Sequence, residues 1–196
     1  MPKVGMQAVR REAMIRATIA EIGATGSLDV TVSQIAKRAG MSSALAHHYF
    51  GSKDQIFLAA MRHILKNFGA SVSGRLARAE GPEARLRAII AASFADDQFD
   101  HEIVSAWLTF YVQAMHSEDV ARLLRVYSKR LQSNLMYNLK ALLDPAQAHA
   151  AAQGLAALID GFYIRHALQD CAPERGETQA LVEDYLTLWL ERTSRG

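Results

Sequence analysis

At 196 residues, half of them apolar and with a net charge of +2, the chain is long enough to bury roughly 70% of its unfolded surface. No segment approaches the ~20 uninterrupted apolar residues of a membrane span. The opening MPKVGMQAVRRE lacks the apolar region of a signal peptide, and the single cysteine, Cys171, excludes an intramolecular disulfide and suits a reducing cytoplasm. The charge is uneven: residues 1–65 hold eight Lys/Arg against four Asp/Glu, and the remainder fourteen against sixteen. A basic N-terminal third fits phosphate binding.

The stripe Val9, Ala13, Met14, Ala17, Ile19-Ala20 and Ile22 predicts a first helix over about 10–25, ended by Gly26. Arg10, Arg11 and Arg16 lie on or near its polar side. Thr31-x-x-Gln34 is a capping box, in which hydroxyl and amide side chains satisfy free backbone N–H groups at a helix start. Val32, Ile35, Ala36 and Ala39 recur at helical spacing, and Gly40 can end that helix in the left-handed region without a Cβ clash. Ser42 caps a second short helix running to about Tyr49. Two short helices joined by about 3–4 residues containing Gly form the pattern of a DNA-binding helix-turn-helix. Ser42, Ser43 and Ala44 make the start of its second helix small and polar enough for close approach to a groove. His47, His48 and Tyr49 bring hydrogen-bonding rings to its end. Ser52-x-x-Gln55 is a further capping box. Lys53 in that first turn opposes the helix dipole, which a phosphate ligand there would explain.

From Ser52 a helix runs to about Ala79, roughly 40 Å long, with Gly69 and Gly74 lowering its propensity. Gly81-Pro82 opens a helix to about Phe94, and Asp96, Asp97 and Asp100 crowd the next loop. A helix over 101–116 carries Trp107, Phe110, Tyr111 and Met115. Another from Ser117 to about Leu143 places Val120, Leu124, Tyr127, Leu131, Leu135 and Leu139 on one side. Asp144-Pro145 supplies cap and first helical position for a helix to about Leu168 that is rich in Ala and Gly. Pro173 and Gly176 break it before a last helix over 177–192 with Leu181, Tyr185, Leu188 and Trp189. The fold class is therefore all-α, about nine helices with no strand. The expected division is residues 1–52 for a DNA-binding helix-turn-helix domain and 53–196 for a second helical domain.

The stretch Thr31, Ile35-Ala36, Ala39-Gly40, Ser42, Tyr49-Phe50 and Lys53 resembles the DNA-binding domain of the tetracycline-repressor (TetR) family, whose pattern is T-x-x-x-I-A-x-x-A-G-x-S followed by Y-F-x-x-K. The resemblance implies a repressor that binds double-stranded operator DNA through Thr31, Ser42, Ser43, Ala44, Leu45, His47, His48, Tyr49 and Lys53. His47 stands where the family usually has a phosphate-contacting Tyr. The N-terminus lies beside the DNA backbone in the family, which makes Arg10 or Arg11 a candidate phosphate contact. The family also implies a homodimer through the last two helices, and a two-fold operator requires a two-fold dimer.

The likeness extends along nearly the whole chain, through Ala106-Trp107-Leu108, Met115-His116, residues 130–135 and 154–161, to the branch that represses choline uptake and its oxidation to glycine betaine. That branch implies choline as the small-molecule effector. A quaternary ammonium cannot donate a hydrogen bond, so its site needs aromatic faces and gains from a carboxylate. Trp107 and Tyr111 share a helix face with Phe110 beside them. Phe162 and Tyr163 are the aromatics of the penultimate helix, and Asp160 is its nearest acid. The competing reading is ordinary core packing. Enzyme readings find no support: there is no Gly-rich phosphate loop, no metal-binding His spacing and no implied cofactor. A helical adaptor would explain the core but not the pattern from Ser42 to Lys53.

Overall fold

The computed structural model describes residues 3–168 and 174–193, without the side chains of residues 3–5 and 193. Among them every regular element is a helix: α1 (Lys3–Thr25), α2 (Val32–Arg38), α3 (Ser43–Phe50), α4 (Lys53–Leu76), α5 (Gly81–Ser93), α6 (His101–Gln113), α7 (Glu118–Leu139), α8 (Pro145–Leu168) and α9 (Arg175–Thr193). Cys171 and Pro173 lie outside the described residues. No helix among them is long and apolar enough to cross a membrane. The expected helices are present with shifted ends. The largest shift is at α1, which begins at Lys3 rather than near Arg10 because nothing after Pro2 interrupts the helical pattern. Val9, expected on the apolar stripe, is 65% exposed.

The chain packs as two compact units, Met1–Lys66 with His101–Leu123, and Asn67–Asp100 with Leu124–Gly196. The division runs through α4 and α7. The first unit packs α1 against α2 and α6. Met14, Ile22, Ile35, Ala36, Ala46 and Ile56 are buried. Arg38 on α2 pairs with Glu21 on α1 at 3.2 Å. Gly23 on α1 lies so close to the start of α6 that a Cβ there would fall 2.6 Å from the Cα and carbonyl oxygen of Glu102, so only glycine permits this approach.

In the second unit, Asp144 caps α8 as expected, its Oδ1 accepting from the backbone N–H of Ala146 at 2.9 Å and of Gln147 at 3.0 Å. Asn138 is buried. Its amide donates to Asn134 O at 2.8 Å and its Oδ1 accepts from Arg85 Nε at 3.1 Å, while Arg85 Nη1 reaches Leu76 O at the end of α4. Arg87 on α5 joins α9 by donating to Glu183 and Thr187. Tyr185 on α9 packs over Gly154 on α8, where a Cβ would stand 1.9 Å from its hydroxyl. Tyr185 is consequently half-buried, and so is Trp189, whose ring centroid lies 6.4 Å from that of Tyr185. The exposed apolar side chains of these two helices are instead Ile164, Leu168, Leu181 and Leu188.

Candidate DNA interface and effector site

The turn between α2 and α3 is built almost entirely from local chemistry. Thr31 Oγ1 accepts from Gln34 N at 3.2 Å while Gln34 Oε1 accepts from Thr31 N at 2.7 Å, completing the capping box. At the other end of α2, Gly40 adopts φ +67°. Its N–H donates to Lys37 O at 3.1 Å and that of Met41 to Ala36 O at 2.8 Å. That bond pair is a Schellman motif, which satisfies the last carbonyls and turns the chain. Ser42 Oγ then accepts from Leu45 N at 3.3 Å and starts α3. Ser33, which the sequence did not single out, ties the two helices together through a 2.8 Å contact between its hydroxyl and that of Ser43.

Burial sorts the residues of α3 into two faces. Ala46 and Phe50 are buried, whereas Ala44, His47 and His48 are exposed. That i, i+3, i+4 spacing places the exposed three on a single face. Ser43, Leu45 and Tyr49 lie half-buried at its margins. Tyr49 is held from behind. Arg11 Nη1 donates to its carbonyl at 3.0 Å, and the Arg11 guanidinium sits 4.4 Å from the Phe50 ring centroid. Arg11 thus anchors the end of α3 to α1, and Arg10 is exposed. His47 Nδ1 lies 3.1 Å from Gly51 O. A carbonyl only accepts, so Nδ1 carries the proton, and Nε2 becomes a donor only in the imidazolium. Ser52 Oγ accepts from Gln55 N at 3.3 Å. Lys53, half-buried at the start of α4, has Nζ 5.3 Å from the Phe57 ring centroid. The result is a short exposed helix, rigidly capped, with cationic or hydrogen-bonding groups at its far end.

The six effector candidates fall in different units. In the first, Trp107 and Phe110 are buried and Tyr111 half-buried, with Trp107 and Tyr111 stacked at 5.9 Å between centroids. In the second, Tyr163 is buried and donates its hydroxyl to Ser93 O at the end of α5. Phe162 meets Phe94 edge-on at 6.3 Å. The sequence missed the company Tyr163 keeps: Phe99 lies 5.5 Å from it and 4.3 Å from the His166 ring, and Phe94 lies 6.2 Å away. Burial, then the charges of Tyr127, Asp160 and Asp97, pushes the Tyr163 phenol well above its ordinary pKa. Tyr127 is raised for the same first reason, with Asp160 again contributing. It had read only as part of an apolar stripe, and Phe68 packs on it at 5.4 Å. A groove of about 580 Å³ is lined by Tyr127, Gln132, Gln153 and Asp160 among others. Buried aromatic faces beside carboxylates suit a ligand that is cationic and partly apolar.

Comparison with known proteins bears on both regions. Residues 14–60 match the family described as "Bacterial regulatory proteins, tetR family", and residues 82–191 match "BetI-type transcriptional repressor, C-terminal". A curated relative from Brucella suis, the HTH-type transcriptional regulator BetI, is 52% identical over 97% of this chain and 96% of its own. Among solved structures, a transcriptional regulator from Rhodococcus sp. Rha1 shares the fold with a TM-score of 0.82 at 21% identity, covering 92% of this chain and 96% of its own. A transcriptional regulator from Saccharomonospora viridis, solved in complex with choline, shares it with a TM-score of 0.79 at 19% identity, covering 90% and 95%.

Proposed function

Because the chain belongs to the TetR family of transcriptional repressors and carries a BetI-type C-terminal domain, we propose that it represses genes converting choline to glycine betaine, with choline as its effector. It acts in the cytoplasm as a homodimer on a pseudo-palindromic operator. The observation that carries the DNA-binding part is the exposed face Ala44, His47 and His48 on a helix capped at both ends. Ser42 to Tyr49 enter the major groove, Thr31 holds the first helix in place, and Lys53 neutralises phosphate. The functional division falls at residues 52 and 53. Exposed Ile164, Leu168, Leu181 and Leu188 on α8 and α9 supply apolar surface for the dimer contact.

Support for choline comes from the BetI name of the relatives, from the choline-bound structure of the same fold, and from the chemistry of the aromatic groups. Trp107, Phe110 and Tyr111 in one unit, and Asp160, Phe162 and Tyr163 in the other, are the candidate effector residues. The protein is a regulator and not an enzyme. The test joins two titrations. Lys53→Ala should weaken binding to all DNA sequences alike and reduce the log–log salt slope by roughly 0.9, the share of one phosphate. Saturating choline should change operator affinity by roughly 5- to 150-fold, and operator should change choline affinity by the same factor. An unchanged salt slope would remove Lys53 from the interface. No heat with millimolar choline, beside a clear response to another ligand, would overturn the choline reading.

A further inference from the structure

The loop after α5 contains a buried polar side chain whose hydrogen bonding is half made. Gln98 stands among Asp96, Asp97 and Asp100, which are exposed, yet it is only 2% exposed itself. Its Nε2 donates to Asp97 Oδ2 at 3.3 Å, and its backbone N–H donates to Ala95 O at 2.8 Å. Its Oε1 has no partner among the described residues. Flipping the amide does not cure this, because it would set the oxygen against a carboxylate that can only accept. A buried acceptor left unmade is costly and uncommon, and a donor that no described residue supplies would complete it.

The surroundings narrow what that donor belongs to. Phe99, next in the chain, packs on Phe94 at 5.2 Å, on Tyr163 at 5.5 Å and on His166 at 4.3 Å. The charges of both Asp97 and Asp160 act on Tyr163. Asp96 is already paired with Arg175. Aromatic faces and two acids favour a cation, while the open acceptor favours a hydroxyl. We propose that Gln98 accepts a hydrogen bond, through Oε1, from the hydroxyl group of a quaternary-ammonium alcohol. It thereby makes the site selective for the alcohol over the same cation without a donor, and over its carboxylate oxidation product. This rests on choline being the effector and adds the residue that reads its uncharged end. A carboxylate in place of the alcohol would bring acceptor against acceptor and anion towards Asp97.

The full-length protein is titrated calorimetrically with choline, ethyltrimethylammonium (no hydroxyl) and the O-methyl ether of choline (oxygen kept, donor removed). Wild type should bind choline roughly tenfold more tightly than either analogue, the scale of one hydrogen bond. Gln98→Met should bring choline down to the analogues' affinity and leave theirs unchanged. The wild-type series stands even if Gln98→Met fails to fold. Equal binding of all three ligands by wild type, or a preference that survives in a folded Gln98→Met protein, overturns the role of Gln98 and leaves choline as effector. Binding of none of the three overturns the choline reading together with it.

Discussion

The turn joining α2 to α3 and the aromatic cluster around Tyr163 are both well-ordered polar and apolar constructions, held together on different length scales. In the turn, each hydrogen bond that shapes a helix end joins residues at most five apart, as in Thr31 with Gln34, Met41 with Ala36 and Ser42 with Leu45. Around Tyr163 the decisive bond joins its hydroxyl to the carbonyl of Ser93, seventy residues away in the chain. Local bonds of the first kind form with little loop-closure entropy, whereas the second kind exists only once distant helices have docked. The exposed face of α3 is thus set by a short segment, and the aromatic cluster around Tyr163 by the packing of a whole unit.

Removing one bond of each kind measures that difference. Tyr163→Phe deletes a buried donor and leaves the Ser93 carbonyl at the end of α5 without it. Urea unfolding should report a loss of about 1–3 kcal/mol. The pH dependence gives a second reading. Burial raises the Tyr163 and Tyr127 phenols above their ordinary value, so above about pH 10 the unfolded chain releases protons that the folded chain keeps. The unfolded state then binds fewer protons, and stability falls as pH rises. Tyr163→Phe should make that alkaline fall shallower by one proton; an identical slope in the two proteins would mean that the phenol ionises normally. Thr31→Ala removes one half of the capping box and should cost about 1 kcal/mol. Its operator affinity should fall further than this loss of stability alone accounts for, because the cap fixes the entry of α2. A stability loss with no change in DNA binding at saturating folded protein would show that the cap serves folding only.

The same contrast explains what could be read from the chain. The Thr31–Gln34 box, the Gly40 turn and the Ser42 cap are chemical signatures within a few positions of one another, and the structure contains each of them. The helices of the remainder follow from apolar periodicity, which gives elements but not partners. Periodicity put Tyr127 on a buried stripe without indicating that Asp160 acts on it. It left Gln98 in an acid-rich loop that reads as solvated, because nothing local distinguishes a loop residue folded inward from one facing water. Tyr185 and Trp189 recur at helical spacing on the last helix, a spacing that does not say what covers them. Gly154 on α8 lets Tyr185 pack closely on its own chain, a contact that depends on helix pairing.

The smallest effect concerns α4, which passes through the division between the two units. Gly69 has a helical backbone and nothing within 4 Å of where a Cβ would stand, so no packing reason requires glycine there. An alanine narrows the unfolded ensemble without a clash, and Gly69→Ala should stabilise the protein by about 0.4–1 kcal/mol. If α4 carries the choline signal as a rigid rod, the urea midpoint should rise while the choline-induced change in operator affinity keeps its size. A helix that instead bends at Gly69 during switching would lose part of that change as the residue stiffens, since coupling depends on the free-energy gap between two arrangements. Measuring the midpoint and the choline effect on the same variant separates the cases: a stabilised protein with undiminished response assigns the glycine no role in switching, and a stabilised protein with a reduced response makes it the hinge.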